Sequence, residues 1–106
     1  MKPAMGIDVG GSGIKGAVVD PGSGELLTPR RRVATPDPST PQAVARATAR
    51  LVARAGWEGP LGFTIPAVVH RGVALTAANI SPAWIGTDAA ALITAETGLP
   101  AVVVND

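Results

Sequence analysis

Apolar and polar positions along the chain follow several distinct rhythms. Residues 4–9 and 14–19 are apolar runs, each interrupted by one charge, Asp8 in the first and Lys15 in the second. Both read as strands, with the glycine turn at positions 10, 11 and 13 between them. Pro21-Gly22-Ser23-Gly24 marks a second turn, and Glu25 to Ala34 then reads as a third strand. Its three arginines, Arg30 to Arg32, make it an edge strand or a partly exposed one. Thr35 to Pro41 is a loop, with Pro41 placed to open a helix.

From Pro41 to Ala55 the period becomes helical. Val44, Ala47, Leu51, Val52 and Ala55 share one face, while Arg46, Arg50 and Arg54 recur every four residues on another. Gly56 is a stop. Leu61 to Ile65 is a short apolar strand, and Val68 to Leu75 predicts a hairpin turning near Arg71-Gly72. Asn79 to Gly86 is irregular. Thr87 can cap a helix over 88–97, with Asp88 favourable in its first turn and Gly98 and Pro100 closing it. Ala101 to Val104 is a last, β-branched strand. The order βββαβ(hairpin)αβ predicts an α/β layer arrangement with a mixed sheet. A buried strand running into the polar pair Asn105-Asp106 is the ending expected of a domain cut from a longer chain.

With 106 residues, 46% of them hydrophobic and 16% charged, the chain can build one domain with a core. It has no cysteine, which excludes disulfides and thiolate metal sites. The lead MKPAMG is too short and polar for a signal peptide, and no apolar run approaches a membrane span. The expectation is a soluble, cytoplasmic protein with no membrane partner. Net charge is +1, which gives no global case for nucleic acid. The charge is uneven, however. Between Arg30 and Arg54 six arginines face one acid, Asp37, a segment of +5, so the remainder carries −4. That segment is either a solvated face or an anion-binding surface.

The glycine turn admits several chemistries. Gly11-x-Gly13-x-x-Gly16 has dinucleotide-fingerprint spacing, but that motif needs a helix after the glycines, and Ala17-Val18-Val19-Asp20 leads into a Pro-Gly turn instead. A Walker loop needs Ser or Thr after its lysine, and Gly16 follows Lys15. A glycine-rich hairpin without a ligand remains open. So does a hairpin that holds phosphate. Gly10, Gly11 and Gly13 have no Cβ, so backbone N–H groups can approach an anion. Ser12 adds a hydroxyl and Lys15 a charge. Asp8, near the end of the first strand, would suit Mg²⁺ or its water shell.

Asp8-Val9-Gly10-Gly11-Ser12-Gly13-Ile14-Lys15 resembles the first phosphate motif of the sugar kinase/actin/Hsp70 superfamily, in the form found in the ROK family. The stretches 56–62, Thr76-Ala77-Ala78-Asn79-Ile80 and Ala83-Trp84-Ile85-Gly86-Thr87, with the terminal Val104-Asn105-Asp106, are similar to bacterial polyphosphate/ATP glucokinases of that family. The resemblance covers nearly the whole chain. It implies a ribonuclease H-like (actin-like ATPase) lobe and a glucokinase moving a phosphoryl group from polyphosphate or ATP to glucose, with Mg²⁺. Residues 10–13 and Lys15 would bind phosphate and Asp8 the metal. Asp106 would be the general base on the sugar 6-hydroxyl, Asn105 would hydrogen-bond neighbouring hydroxyls, and Ala67, Ala78 and Asn79 would line the sugar pocket. ROK kinases carry a further lobe with a Glu-x-x-Gly-His type motif, in many members a zinc-binding Cys cluster, and a second phosphate motif. None is present here, so the resemblance is to an N-terminal lobe, homodimeric through the full-length protein and inactive alone.

Two other classes stay in view. One is a non-catalytic ROK sugar sensor behind a DNA-binding domain; the other is an actin-like assembly module. Trp57 and Trp84 read as core or hinge packing rather than sugar platforms, His70 as a surface residue, and Asn79 as either a pocket residue or a turn former.

Overall fold

A computed structural model describes residues 2–105. Alternation within the strands sets its layers. In β1 (Ala4–Val9), Met5, Ile7 and Val9 are buried while Asp8 is exposed. β2 (Gly13–Val19) runs back antiparallel, with Asp8 opposite Lys15 and Val9 opposite Ile14. β3 (Arg31–Ala34) adds to the outer edge of β2, placing Arg32 opposite Lys15 and Ala34 opposite Gly13.

β3 is shorter than the pattern predicts. Pro29 has no N–H to give a ladder. The Val18 N–H instead donates to Thr28 Oγ1 at 3.1 Å, and the Leu27 N–H donates to the Val18 carbonyl at 2.7 Å. Residues 25–30 therefore follow the edge of β2 through mixed bonds, touching it in strand fashion only at the isolated bridge between Val19 and Leu26.

Helix α1 (Pro41–Ala55) has the predicted bounds. Thr40 caps it by accepting from the Ala43 N–H at 3.3 Å, and Gly56 closes it in the left-handed region at φ 66°. Val44, Ala47, Leu51 and Val52 are buried, whereas Arg46, Arg50 and Arg54 are exposed. Leu51 packs over the β1–β2 pair: a Cβ on Gly16 would lie 2.6 Å from Leu51 Cδ2 and 2.9 Å from Ile7 Cδ1. Gly16 lets the helix come this close to the sheet.

β4 (Leu61–Ile65) then pairs parallel with β1, with Asp8 opposite Thr64. β5 (Val69–His70) and β6 (Val73–Ala74) form the predicted hairpin. Its turn residues Arg71 and Gly72 both have positive φ, 51° and 82°, as a two-residue hairpin turn requires. His70 is exposed there. The irregular stretch after it contains one 3₁₀ turn, Pro82–Trp84.

Helix α2 is Ala89–Thr97, capped one residue later than the sequence suggests. The Asp88 carboxylate accepts from the Ala91 N–H at 3.0 Å, while the Thr87 hydroxyl is turned back to the Ala83 carbonyl at 2.8 Å. β7 (Ala101–Asn105) closes the sheet parallel to β4.

The sheet order is β3-β2-β1-β4-β7, a mixed sheet with the antiparallel unit on one side and the parallel crossovers on the other. α1 and α2 pack against each other, and the core fills the space between them and the sheet. Trp84 lies fully inside this core, stacked on Phe63 with ring centroids 6.4 Å apart. Trp57 is half-buried, its indole N–H donating to the Pro60 carbonyl at 3.0 Å. Among the described residues no helix is long and apolar enough to cross a membrane.

Candidate functional site

The turn between β1 and β2 is a tight hairpin. The Gly10 N–H donates to the Gly13 carbonyl at 2.9 Å, and β2 begins at Gly13 itself. No helix follows the glycines, so the dinucleotide reading has no helix N-terminus to offer. Gly11 and Ser12 are exposed at the tip, and Gly13 is buried.

β3 holds this loop from one side. Arg32 Nη2 donates to the Ser12 carbonyl at 3.1 Å, and the Thr35 hydroxyl donates to the Gly10 carbonyl at 2.7 Å. The Arg32 guanidinium lies so close to Gly13 that a Cβ there would be 2.6 Å from Arg32 Nε. Neither contact is visible in the sequence, where Arg32 is one of three arginines and Thr35 opens a loop. The register of β3 on β2 makes both contacts.

Asn79 borders it on the other side. A Cβ on Gly11 would lie 3.1 Å from the Asn79 carbonyl oxygen. Asn79 has φ 61°, a left-handed conformation that asparagine tolerates better than most residues. It is thus a turn former whose turn meets the glycine loop. Ala78, just before it, donates its N–H to the Pro66 carbonyl at 3.0 Å, and Ala67, next to Pro66, is buried. Asn105, opposite Ile65, ends the neighbouring strand. Residues 10–13, Ala67, Ala78, Asn79 and Asn105 therefore collect around the carboxyl ends of the parallel strands β1, β4 and β7, where open α/β sheets bind ligands. Asp106 lies outside the described residues.

Asp8 and Lys15 stand one register step back from the loop. The pairings place Arg32, Lys15, Asp8, Thr64 and Val104 in one row across β3, β2, β1, β4 and β7. Asp8, Lys15, Thr64 and Arg30 line an open cavity of about 370 Å³ on this side of the sheet. The arginine run is thus divided: Arg32 is at the loop, and Arg30 shares a cavity with Asp8 and Lys15. Among the described residues no three His, Cys, Asp or Glu side chains form a group able to hold a metal. A metal at Asp8 would have to take most of its ligands from water and substrate.

A model of the ROK family matches residues 4–106. The polyphosphate glucokinase of Mycobacterium tuberculosis is 53% identical over 103 residues, which cover 96% of this chain and 39% of that protein. The crystal structure of the inorganic polyphosphate/ATP-glucomannokinase of Arthrobacter sp. strain KM superposes with a TM-score of 0.93 at 44% identity, over 100% of this chain and 45% of that one. A ROK family glucokinase from Streptomyces griseus, solved with glucose and AMPPNP, gives 0.83 at 31% identity, over 98% and 33%. The chain thus spans less than half the length of each of these relatives. The mixed α/β fold is that of the actin-like ATPase sugar kinases, and the chain belongs to the ROK family.

Proposed function

We propose that these residues form the N-terminal lobe of a glucokinase that moves a phosphoryl group from polyphosphate or ATP to the 6-hydroxyl of glucose. The observation that carries this reading is the convergence of the glycine hairpin, the Asn79 turn and the Asn105 end of β7 on one edge of the sheet. Phosphoryl transfer asks mainly for positioning and for stabilisation of charge. The hairpin suits the first need on the donor side, with backbone N–H groups, Ser12 and Lys15 for the phosphates. Ala67, Ala78, Asn79 and Asn105 suit the acceptor side.

Asp106 follows Asn105 directly and is assigned the general base. Its carboxylate takes the proton of the 6-hydroxyl as that oxygen bonds to the terminal phosphorus and the bridging oxygen leaves with the rest of the donor. Asp8 fits Mg²⁺, which keeps several waters and is often held by one or two carboxylates plus phosphate. When bound, the ion offsets charge on the donor phosphates. The relatives named for polyphosphate support that donor alongside ATP. The full-length protein is assigned to the cytoplasm as a homodimer.

The test is glucose 6-phosphate formation by the full-length protein with each donor and Mg²⁺, and again with Asp106→Asn. The variant should lose about 10²–10⁴-fold in kcat with glucose affinity little changed. No product from either donor would overturn the reading. A loss under about tenfold would remove Asp106 from the base role.

A further inference from the structure

The hairpin at Gly10–Gly13 has an asymmetry between its carbonyls and its N–H groups. Three of its carbonyls are engaged. Gly10 accepts from the Thr35 hydroxyl at 2.7 Å, and Gly13 accepts from the Gly10 N–H at 2.9 Å. Ser12 accepts twice, from the Thr35 N–H at 3.2 Å and from Arg32 Nη2 at 3.1 Å. Among the described residues no backbone carbonyl accepts from the N–H groups of Gly11 or Ser12.

Thr35 contributes both its backbone and its side chain to this arrangement, and it sits one residue past β3. We infer that Thr35 and Arg32 are positioning residues of the glycine loop: they hold the Gly10 carbonyl, whose peptide plane carries the Gly11 N–H, and the Ser12 carbonyl, and so fix the planes on both sides of the Ser12 N–H, which leaves the Gly11 and Ser12 N–H groups available to an oligophosphate anion. This rests on the phosphate-binding reading of the loop proposed above.

The physical reason is the dipole of the peptide unit. In a glycine-rich turn a peptide plane can rotate with little steric penalty, because φ on either side of zero is open. Rotation at 10–11 would bring the Gly10 carbonyl oxygen to where the Gly11 N–H had been. A donor to phosphate would become an acceptor facing a like charge. Carbonyls fixed by a hydroxyl and a guanidinium resist that rotation, so the anion meets a preorganised set of donors. Gly13 belongs to the same device. The guanidinium occupies the space its Cβ would need, within 2.6–2.8 Å, so a larger residue would push Arg32 off the Ser12 carbonyl.

Arg32 also carries charge, and its removal would weaken any anion binding nearby. Thr35 is neutral and therefore separates positioning from charge. Thr35→Val keeps the shape and the β-branch but removes the donor to Gly10; Thr35→Ser keeps the donor.

The experiment is an NMR titration of the ¹⁵N-labelled 106-residue chain with sodium tripolyphosphate at fixed ionic strength, following the Gly11 and Ser12 amides. Those two signals should shift saturably in the wild type. Thr35→Val should retain a dispersed spectrum and bind about three- to tenfold more weakly, the worth of one hydrogen bond. Thr35→Ser should recover the loss. Thr35→Val binding as tightly as wild type overturns the inference while leaving the loop a phosphate site. A wild type whose Gly11 and Ser12 amides do not respond overturns the phosphate reading of the loop, and the inference with it. Should Thr35→Val not fold, Arg32→Met at its exposed position carries the test. It should weaken binding, with Arg32→Lys recovering part of it, and wild-type affinity in Arg32→Met overturns the inference.

Discussion

Gly11 and Asn79 meet at the site: a Cβ on Gly11 would lie 3.1 Å from the Asn79 carbonyl oxygen and 3.3 Å from the Asn79 Cβ. One residue is at the tip of the first hairpin. The other turns the chain in the left-handed region between β6 and the 3₁₀ turn. The contact joins the part of the site assigned to the phosphoryl donor to the part assigned to the sugar, and glycine makes it possible.

Gly11→Ala should therefore disturb function more than folding. The new methyl must move backbone rather than a flexible side-chain tip, by a few tenths of an ångström. Overpacking of this kind costs about 1–3 kcal/mol, and the low end applies at an exposed loop tip. Thermal unfolding should register that small loss. Donor KM in the full-length protein should rise as well. A variant with wild-type KM for both donors would show that the hairpin and the Asn79 turn yield independently.

Much of this architecture is legible in the sequence, because the signals are local. The runs at 4–9 and 61–65, and the Pro41–Ala55 helix with its Pro41 start and Gly56 stop, carry period and breaker together. What escaped depends on partners distant in sequence. Pro29 and Thr28 shorten β3 only because Val18 lies beside them. Asp88 rather than Thr87 caps α2 because the Thr87 hydroxyl has the Ala83 carbonyl in reach. At the site, the glycine motif and the Asn105 strand end were readable as residue types. Arg32 on the Ser12 carbonyl and Thr35 on the Gly10 carbonyl were not, since a one-residue slip of β3 would turn its side chains to the other face.

Thr48 offers a test of the core. It lies on the buried face of α1 with no exposed surface, and among the described residues its hydroxyl has no hydrogen-bond partner. An unpaired buried hydroxyl costs about 1–3 kcal/mol, and a methyl in its place removes that penalty without changing the shape. Thr48→Val should raise the urea midpoint, with a gain of about 1 kcal/mol. A lower midpoint at unchanged slope would show that the hydroxyl is paired in solution.

Trp84 connects the core to the loop before α1. Its ring stacks on Phe63, and its indole N–H donates to the Ser39 carbonyl at 2.9 Å, while the Ser39 hydroxyl accepts from the Ser81 N–H at 2.9 Å. Trp84→Phe keeps an aromatic ring but strands the Ser39 carbonyl, a loss of about 1–3 kcal/mol. Trp84→Ala should cost about 3–5 kcal/mol through the cavity it leaves. Denaturation followed by circular dichroism measures both. Equal losses in the two variants would assign the stability to the indole hydrogen bond and not to packing.

The arginines make the last prediction, one about the donor. Arg46, Arg50 and Arg54 are exposed on α1, the helix that covers the opposite face of the sheet from Asp8 and Lys15. Arg30 lines the cavity that contains Asp8 and Lys15. A long polyanion gathers affinity from each cation it meets and loses it with salt as counterions are restored, as nucleic acid backbones do. ATP, with fewer phosphates, has less to gain from a cation away from the loop. Arg30→Ser in the full-length protein should therefore raise KM for polyphosphate and flatten its salt dependence, with KM for ATP nearly unchanged. Arg46, Arg50 and Arg54 changed together to Ser should leave both donors alone. If the helix variant weakens polyphosphate as much as Arg30→Ser does, the effect is one of overall charge, and the cavity has no particular part in choosing the donor.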